Sequence, residues 1–266
     1  MCLLVVRWRE DPDLPLIIGA NRDERLDRPA TAWTLLDAGP PRLVGGRDEL
    51  AGGSWLAIND RGVFAGLTNQ PAGERDPAKR SRGELPLLLT RHDRVDRGVE
   101  QLLTRVRSED YNPAWLIAGD RERLVYVELG AEGPPIVREL SAGTHVLENV
   151  ALDAPSVKVA YVRSVIDGLT STQLWDALPT LLASHDLPAE PSDRWPEDSP
   201  ARRRETLAPC VHTPTYGTRS STLIRVTAAP DTLPEVRVAD GPPCTTPYRD
   251  ASSWWGRENK SQPARN

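Results

Sequence analysis

The stretch MCLLVVRWREDPDLPLIIGANRDE, residues 1–24, contains two short apolar runs separated by a turn-rich segment. Leu3–Trp8 and Leu14–Ala20 predict two buried strands, and Glu10–Asp13 supplies the acidic residues and the proline typical of a tight connection. Antiparallel neighbours place the beginning of one strand beside the end of the other. We therefore expect residue 2 to lie close to residues 21–23.

Beyond this hairpin, apolar runs of strand length and apolar positions at helical spacing occur in separate blocks. Strands are predicted at Ser54–Ile58, Val63–Thr68, Ala114–Ala118, Leu124–Leu129, His145–Asn149, Ser220–Thr227 and Val236–Ala239. Helical spacing is found at Leu85–Leu89, Val95–Val106, Val157–Leu169 and Thr172–Ser184, and loops are predicted at Pro71–Arg82 and Pro188–Pro200. Hairpins at both ends with helices between them favour an α+β fold with mostly antiparallel sheets. A Rossmann-like fold is disfavoured because the βαβ alternation and the glycine-rich phosphate motifs are missing.

The composition is that of an ordinary, slightly polar globular chain, with 39% hydrophobic and 27% charged residues among 266. We expect a single domain over residues 1–240 and an irregular C-terminal tail over 241–266. The formal charge of −5 argues against charge-driven binding of nucleic acid. The first apolar run is too short for a secretory signal or a membrane helix. The expected partner is therefore a small-molecule ligand or substrate, without membrane insertion, and the oligomeric state is left open.

The cysteines and histidines predict no disulfide framework and no metal site. The three cysteines form an odd set without CxxC spacing, which favours a reducing, cytoplasmic location. His92, His145, His185 and His212 show no HExxH or other paired spacing. Cys210 and His212 are two potential ligands with no second pair in the sequence. We therefore expect neither a metal ion nor another cofactor.

Cys2 is the first candidate for chemistry. A small second residue favours removal of the initiator methionine, which would leave a thiol and an α-amine on one residue. Such an amine has an ordinary pKa of about 8 and the thiol one of about 8.5, so the amine can serve as a base near neutral pH. A nucleophile with its own base is a compact form of covalent catalysis. The alternative is a small buried residue that begins a strand.

Further polar candidates lie near predicted strand ends. Asp23 could orient the amine, and Arg22 could lower the pKa of the thiol or bind a carboxylate; the alternative for both is a solvated charged turn. Asn69 could donate a hydrogen bond to a developing oxyanion, and the same applies to Asn149, although asparagine is also a common turn residue. Arg219 could bind an anionic group or simply lie at a strand edge.

Several short segments occur in an order that is typical of one family. They are Met1-Cys2, Asn21–Glu24, Gly52–Leu56, Gly62–Asn69, Ser81–Gly83, Glu148–Asn149 and Tyr216–Arg219. On these segments the chain resembles, over about residues 1–227, the NRDE family, also called the transport and Golgi organisation protein 2 family. That family is similar to the choloylglycine hydrolase and penicillin V acylase group of N-terminal nucleophile enzymes.

The resemblance implies an αββα sandwich, in which two stacked antiparallel sheets lie between helical layers. It also implies that Cys2 is the nucleophile and its α-amine the base. Asp23 would orient that amine, Asn69 would be an oxyanion donor, Asn149 a second polar site residue, and Arg219 the counterpart of a C-terminal arginine.

One departure concerns Arg22, which is adjacent to Asp23, whereas in the hydrolases the arginine precedes the aspartate by a few residues. Neighbours on a strand point to opposite faces, so the two side chains enter one pocket only if the chain turns.

Three functions remain open at this stage. The first is an amidohydrolase or acyltransferase that acts on an amide bond of a small molecule through an acyl-cysteine. The second is a noncatalytic ligand-binding or carrier protein, as the involvement of eukaryotic relatives in trafficking, lipid and haem handling suggests. The third is a plain interaction protein that has kept the fold.

Overall fold

The structure, a computed structural model, describes residues 2–70, 75–186 and 204–256. The strands in these residues are β1 Cys2–Trp8, β2 Leu16–Arg25, β3 Ala30–Asp37, β4 Leu43–Asp48, β5 Leu56–Asn59, β6 Phe64–Asn69, β7 Ala114–Gly119, β8 Leu124–Leu129, β9 Ile136–Glu139, β10 Gly143–Leu147, β11 Tyr216–Val226, β12 Glu235–Ala239 and β13 Arg249–Asp250. The helices are α1 Glu84–Thr90, α2 Val95–Arg105, α3 Val157–Ile166 and α4 Ser171–Ala183. Short 3-10 turns occupy Ser108–Asp110, Arg204–Leu207 and Ser252–Trp255.

The strands form two antiparallel sheets. The first sheet has the order β10-β1-β2-β11-β12-β13, and the second runs from β3 to β9 in chain order. Strand β1 is antiparallel to β2 with Cys2 opposite Arg22, which confirms the predicted closeness of residue 2 to residues 21–23. Strand β2 is longer than predicted and continues through Arg25, because β11 pairs with it along its whole length.

Successive side chains of β1 point to opposite faces of the first sheet, and both faces are buried. Leu4 and Val6 belong to the core cluster between the two sheets, whereas Leu3 and Val5 pack against α3 and α4. On the far side, α1 and α2 cover the second sheet. The layers are therefore helix, sheet, sheet and helix, and the predicted αββα sandwich is confirmed.

The structure differs from the sequence-based prediction at strands with a weak pattern. Strands β3, β4, β9 and β13 were not predicted. Strand β4 contains two glycines, and most of β9 is exposed, so neither has a clear apolar alternation. In the tail, the 3-10 turn Ser252–Trp255 buries Trp255 in the core between the sheets, where only 6% of the residue is exposed. Up to residue 256 the tail is therefore not irregular. One large aromatic side chain anchors it, and a single residue leaves no periodic pattern in the sequence. The predicted loop Pro188–Pro200 lies outside the described residues.

None of the helices in the described ranges combines the length and the apolar character that a membrane crossing would require.

Candidate functional site

A cavity of about 630 Å³ opens at the edge of the sandwich where β1 begins and β2 ends. Its walls come from the end of β2, the connection between β4 and β5, and the segment that precedes α1. The lining is rich in charged side chains of both signs and includes Arg22, Asp23, Glu24, Arg25, Asp27, Arg28, Asp48, Ser54, Trp55, Leu67, Asn69, Arg75, Ser81 and Arg82. Cavities of this size are typical of small-molecule sites.

Arg22 is held against the aromatic wall of this cavity. Only 4% of the residue is exposed, and its guanidinium carbon lies 4.4 Å from the centroid of the Trp55 ring. One guanidinium nitrogen lies 3.8 Å from carboxylate oxygens of both Glu24 and Asp48. Gly46 makes this stacking possible, because a Cβ at that position would overlap the indole of Trp55. A planar guanidinium fixed in this way keeps its charge in a largely buried place.

Asp48 links this arginine to a second one. Arg28 Nε donates to Asp48 Oδ2 over 2.8 Å. Burial opposes ionisation of Asp48, but the hydrogen bonds from Arg28 and from the backbone of Ala51 and Leu50 outweigh it and lower the pKa of Asp48. The carboxylate is therefore a fixed anion between two cations, and it neutralises part of the positive charge in the wall.

Asp23 is buried at the end of β2 and is held by β11. Thr218 Oγ1 donates to Asp23 Oδ1 over 2.6 Å, and Tyr216 Oη donates to the backbone carbonyl of Asp23 over 2.9 Å. Burial raises the pKa of Asp23, and the charge of Lys158 and the Thr218 hydrogen bond oppose that rise. Lys158 is fully buried, and among the described residues its Nζ has no hydrogen-bond partner.

Arg22 and Asp23 both line the cavity, although they are neighbours on one strand. The register of β11 against β2 shifts between Thr218 and Ser220, directly opposite this pair. Such a bulge bends the strand and increases its local twist. Both residues border the cavity while they remain part of β2.

Asn69 and Asn149 meet at the same edge. Asn69 ends β6 and lines the cavity, and Asn149 lies just beyond β10 and is 3% exposed. Asn149 Nδ2 donates to the backbone carbonyl of Asn69 over 2.5 Å, which ties the two sheets together here. The structure thus brings Asn69, Asn149, Arg22 and Asp23 to one end of the sandwich.

Cys2 and Arg219 complete the set of predicted residues. Cys2 is the first residue of β1, and its backbone lies opposite that of Arg22. Arg219 has no Cα partner on β2, because it is the extra residue of the bulge, and it does not line the cavity. Its buried Nε has no hydrogen-bond partner within the described ranges.

Sequence reasoning missed Lys158 and Thr218. Lys158, Val162 and Ile166 are the buried residues of α3, and they are spaced by four. Helical spacing therefore places this lysine within the apolar stripe, which was an available signal for a buried charge. No such signal exists for Thr218, whose partner Asp23 is 195 positions away in the chain.

Comparison with known proteins gives consistent matches over most of the chain. Residues 1–232 match the family model described as Transport and Golgi organisation 2. The mouse Transport and Golgi organization 2 homolog is 30% identical over 250 residues, which cover 86% of this chain and 89% of that protein. The human homolog is 31% identical over 251 residues with the same coverage.

Among solved structures, the Caenorhabditis elegans N-acylethanolamine-hydrolyzing acid amidase ortholog superposes with a TM-score of 0.52. The superposition covers 87% of this chain and 94% of the nematode chain, at 11% sequence identity. At this identity the similarity concerns the fold.

Proposed function

Because this chain belongs to the Transport and Golgi organisation 2 family and has the αββα fold of N-terminal nucleophile hydrolases, we propose that it is a cysteine amidohydrolase or acyltransferase. The proposed reaction cleaves an amide bond of a small molecule through an acyl-cysteine. The nematode neighbour's name describes hydrolysis of an N-acylethanolamine, and only the bond type, not the substrate, is carried over here.

In the proposed reaction, removal of Met1 leaves the α-amine of Cys2 free. That amine takes the proton of the Cys2 thiol while the sulfur attacks the carbonyl carbon of the amide, and Asn69 donates to the oxyanion. The carbon–nitrogen bond then breaks, the amine leaving group receives the proton, and a thioester remains on Cys2. Water, or a second amine in the case of acyl transfer, attacks the thioester and restores the thiol.

The observation that carries the proposal is the common location of these groups. Cys2 begins β1 opposite Arg22, at the edge of the cavity that Arg22, Asp23 and Asn69 line. Asp23 is rigidly held by Thr218 and lies in an environment where burial raises its pKa, as is frequent at functional sites. The polar wall of the cavity favours a substrate with a polar or anionic group beside the amide.

The test combines the mass of the mature chain with trapping of the intermediate. The purified protein should lack Met1, and a short pulse with activated amides and thioesters should leave an acyl mass on the peptide that begins at Cys2. Cys2→Ala should abolish both labelling and turnover. Because Cys210 and Cys244 are also thiols, the label has to be located by peptide mapping. Retained Met1 in active protein, or turnover unchanged in Cys2→Ala, would refute the proposal.

Ligand binding without turnover is the second candidate, since the names of the mouse and human relatives refer to transport and Golgi organisation rather than to a reaction. A ligand that copurifies with both the natural protein and Cys2→Ala, and that Arg22→Ala releases, would favour this function. The Arg22→Ala variant probes the cavity without altering the thiol.

A further inference from the structure

Four side chains of metal-ligand type meet outside the cavity, although they come from three separate parts of the chain. His185 follows α4, Cys210 and His212 precede β11, and Cys244 lies between β12 and β13. Their donor atoms all lie within 4.8 Å of one another. Cys210 is buried, Cys244 is half-buried, and both histidines lie at the surface.

Two donor separations within this cluster, both involving Cys244 Sγ, are close to those of a tetrahedral zinc site. Zinc bonds of about 2.3 Å to sulfur and about 2.1 Å to nitrogen separate neighbouring donors by about 3.4–3.8 Å at tetrahedral angles. Cys210 Sγ and Cys244 Sγ are 3.7 Å apart, and Cys244 Sγ is 3.3 Å from His212 Nε2. The rings of His185 and His212 are nearly perpendicular, with centroids 4.9 Å apart, as expected for two imidazoles directed at one point from different sides.

We propose that His185, Cys210, His212 and Cys244 bind one Zn²⁺ ion. Two thiolates and two imidazoles form a closed set of four ligands, which is characteristic of structural rather than catalytic zinc. His185 Nδ1 lies 3.0 Å from the backbone carbonyl of Cys210, so the other ring nitrogen, Nε2, is oriented as the ligand. Metal-binding histidines are commonly held by such a hydrogen bond from the second nitrogen.

A disulfide between the two sulfurs would not account for the histidines. Both thiols are free in the structure, and neither imidazole would be needed beside a Cys210–Cys244 bond. A divalent ion accounts for all four side chains, because two thiolates and two imidazoles can bind one ion together.

The ion would brace the segment that holds Asp23. Val211, between two of the ligands, donates from its backbone nitrogen to Thr218 Oγ1 over 2.8 Å and accepts from the Thr218 nitrogen over 2.8 Å. Thr218 Oγ1 in turn donates to Asp23 Oδ1. The proposed role is therefore to fix the end of α4 and two connections against the first sheet. This role does not depend on the proposed reaction.

The test measures metal content and the coordination of a spectroscopic substitute in the full chain, purified under reducing conditions without a histidine tag. After loading with Zn²⁺ and removal of excess ion, we expect about one Zn²⁺ per chain. Co²⁺ in its place should show the intense visible bands of tetrahedral geometry and a thiolate charge-transfer band. His212→Ala and Cys244→Ser should weaken metal binding by more than about tenfold and lose the rise in unfolding temperature that Zn²⁺ produces.

A matched control separates this site from other ligands in the chain. His145→Ala should retain the ion, since His145 is not one of the four clustered residues. The Co²⁺ spectrum of the unaltered protein remains informative even if a ligand variant does not fold. Failure of the reduced protein to bind stoichiometric Zn²⁺, octahedral Co²⁺ without a thiolate band, or full metal retention in both ligand variants would overturn the proposal.

Discussion

Replacing Lys158 with methionine tests whether a buried charge or a buried apolar surface governs the region behind the cavity. Lys158 is 0% exposed and shares the inner face of α3 with Val162 and Ile166. Methionine has a similar length, so packing alone predicts a more stable protein. However, the ammonium group of Lys158 lowers the pKa of Asp23, which burial otherwise raises.

We expect Lys158→Met to destabilise the protein near neutral pH. Asp23 and Glu148 are both buried, and Glu148 further raises the pKa of Asp23, so loss of the lysine leaves two carboxyls without the cation that opposes them. Breaking a contacting buried charge pair costs about 3–5 kcal/mol, which is an upper limit here because Lys158 Nζ has no hydrogen-bond partner among the described residues. A buried methionine side chain recovers about 1–2 kcal/mol of hydrophobic free energy. The net loss should therefore not exceed about 4 kcal/mol.

The effect depends on pH with a definite sign. Because the pKa of Asp23 is raised in the folded state, its ionisation favours unfolding: its stabilising contribution is present below the unfolded pKa and is lost as the pH rises through the folded pKa. The difference between Lys158→Met and the unaltered protein should therefore be large at about pH 8 and much smaller at about pH 4. Urea unfolding followed by circular dichroism at both pH values measures it.

Asp23→Asn serves as the matched second change. It keeps an acceptor for Thr218 but removes the buried charge, so it should recover much of the stability lost in Lys158→Met. A Lys158→Met protein as stable as the original at about pH 8, or no recovery in the double variant, would refute the electrostatic reasoning.

Three further changes test the packing around the site. Thr218→Val should lower the free energy of unfolding by about 1–3 kcal/mol and raise the pKa of Asp23 further, because it removes the 2.6 Å hydrogen bond. Thr218→Ser should restore the stability and the pKa. Denaturant unfolding measures the first effect, and carboxyl titration by NMR measures the second. Gly46→Ala should cost about 1–3 kcal/mol and quench or shift Trp55 fluorescence, since its Cβ would overlap the indole; an unchanged spectrum would contradict this. Trp255→Ala should lower the free energy of unfolding by about 3–5 kcal/mol, as measured by thermal unfolding. A loss below about 1 kcal/mol, as for a surface residue, would show that the tail does not anchor the core.

The α+β class with antiparallel sheets and one edge of the site were accessible from local patterns in the sequence, whereas the αββα layering was what the family resemblance implied. Apolar residues at consecutive positions of Leu3–Trp8 mark a strand buried on both faces, and the turn after it requires an antiparallel neighbour. These two facts place residue 2 close to Arg22. The roles carried over to Cys2, Asp23 and Asn69 depend on the family resemblance and remain predictions.

Other features depended on pairings between distant segments. Strand β11 lies beside β2 although nearly two hundred residues separate them, and this contact creates the bulge at Arg219 and the Thr218 bond to Asp23. The expectation of no metal site was based on spacing along the chain, which does not show contacts of this kind. Cys210 and His212 had no second pair in the sequence, but folding brings His185 and Cys244 to them.

Local sequence patterns predicted most of the strands and the four helices, because backbone geometry repeats every two residues in a strand and every 3.6 in a helix. The sequence also predicted that β2 lies beside β1, because a short turn returns the chain antiparallel to the strand before it. Folding alone shows which distant elements share an edge and which loops converge, because those contacts depend on the packing of whole layers and leave no local periodicity.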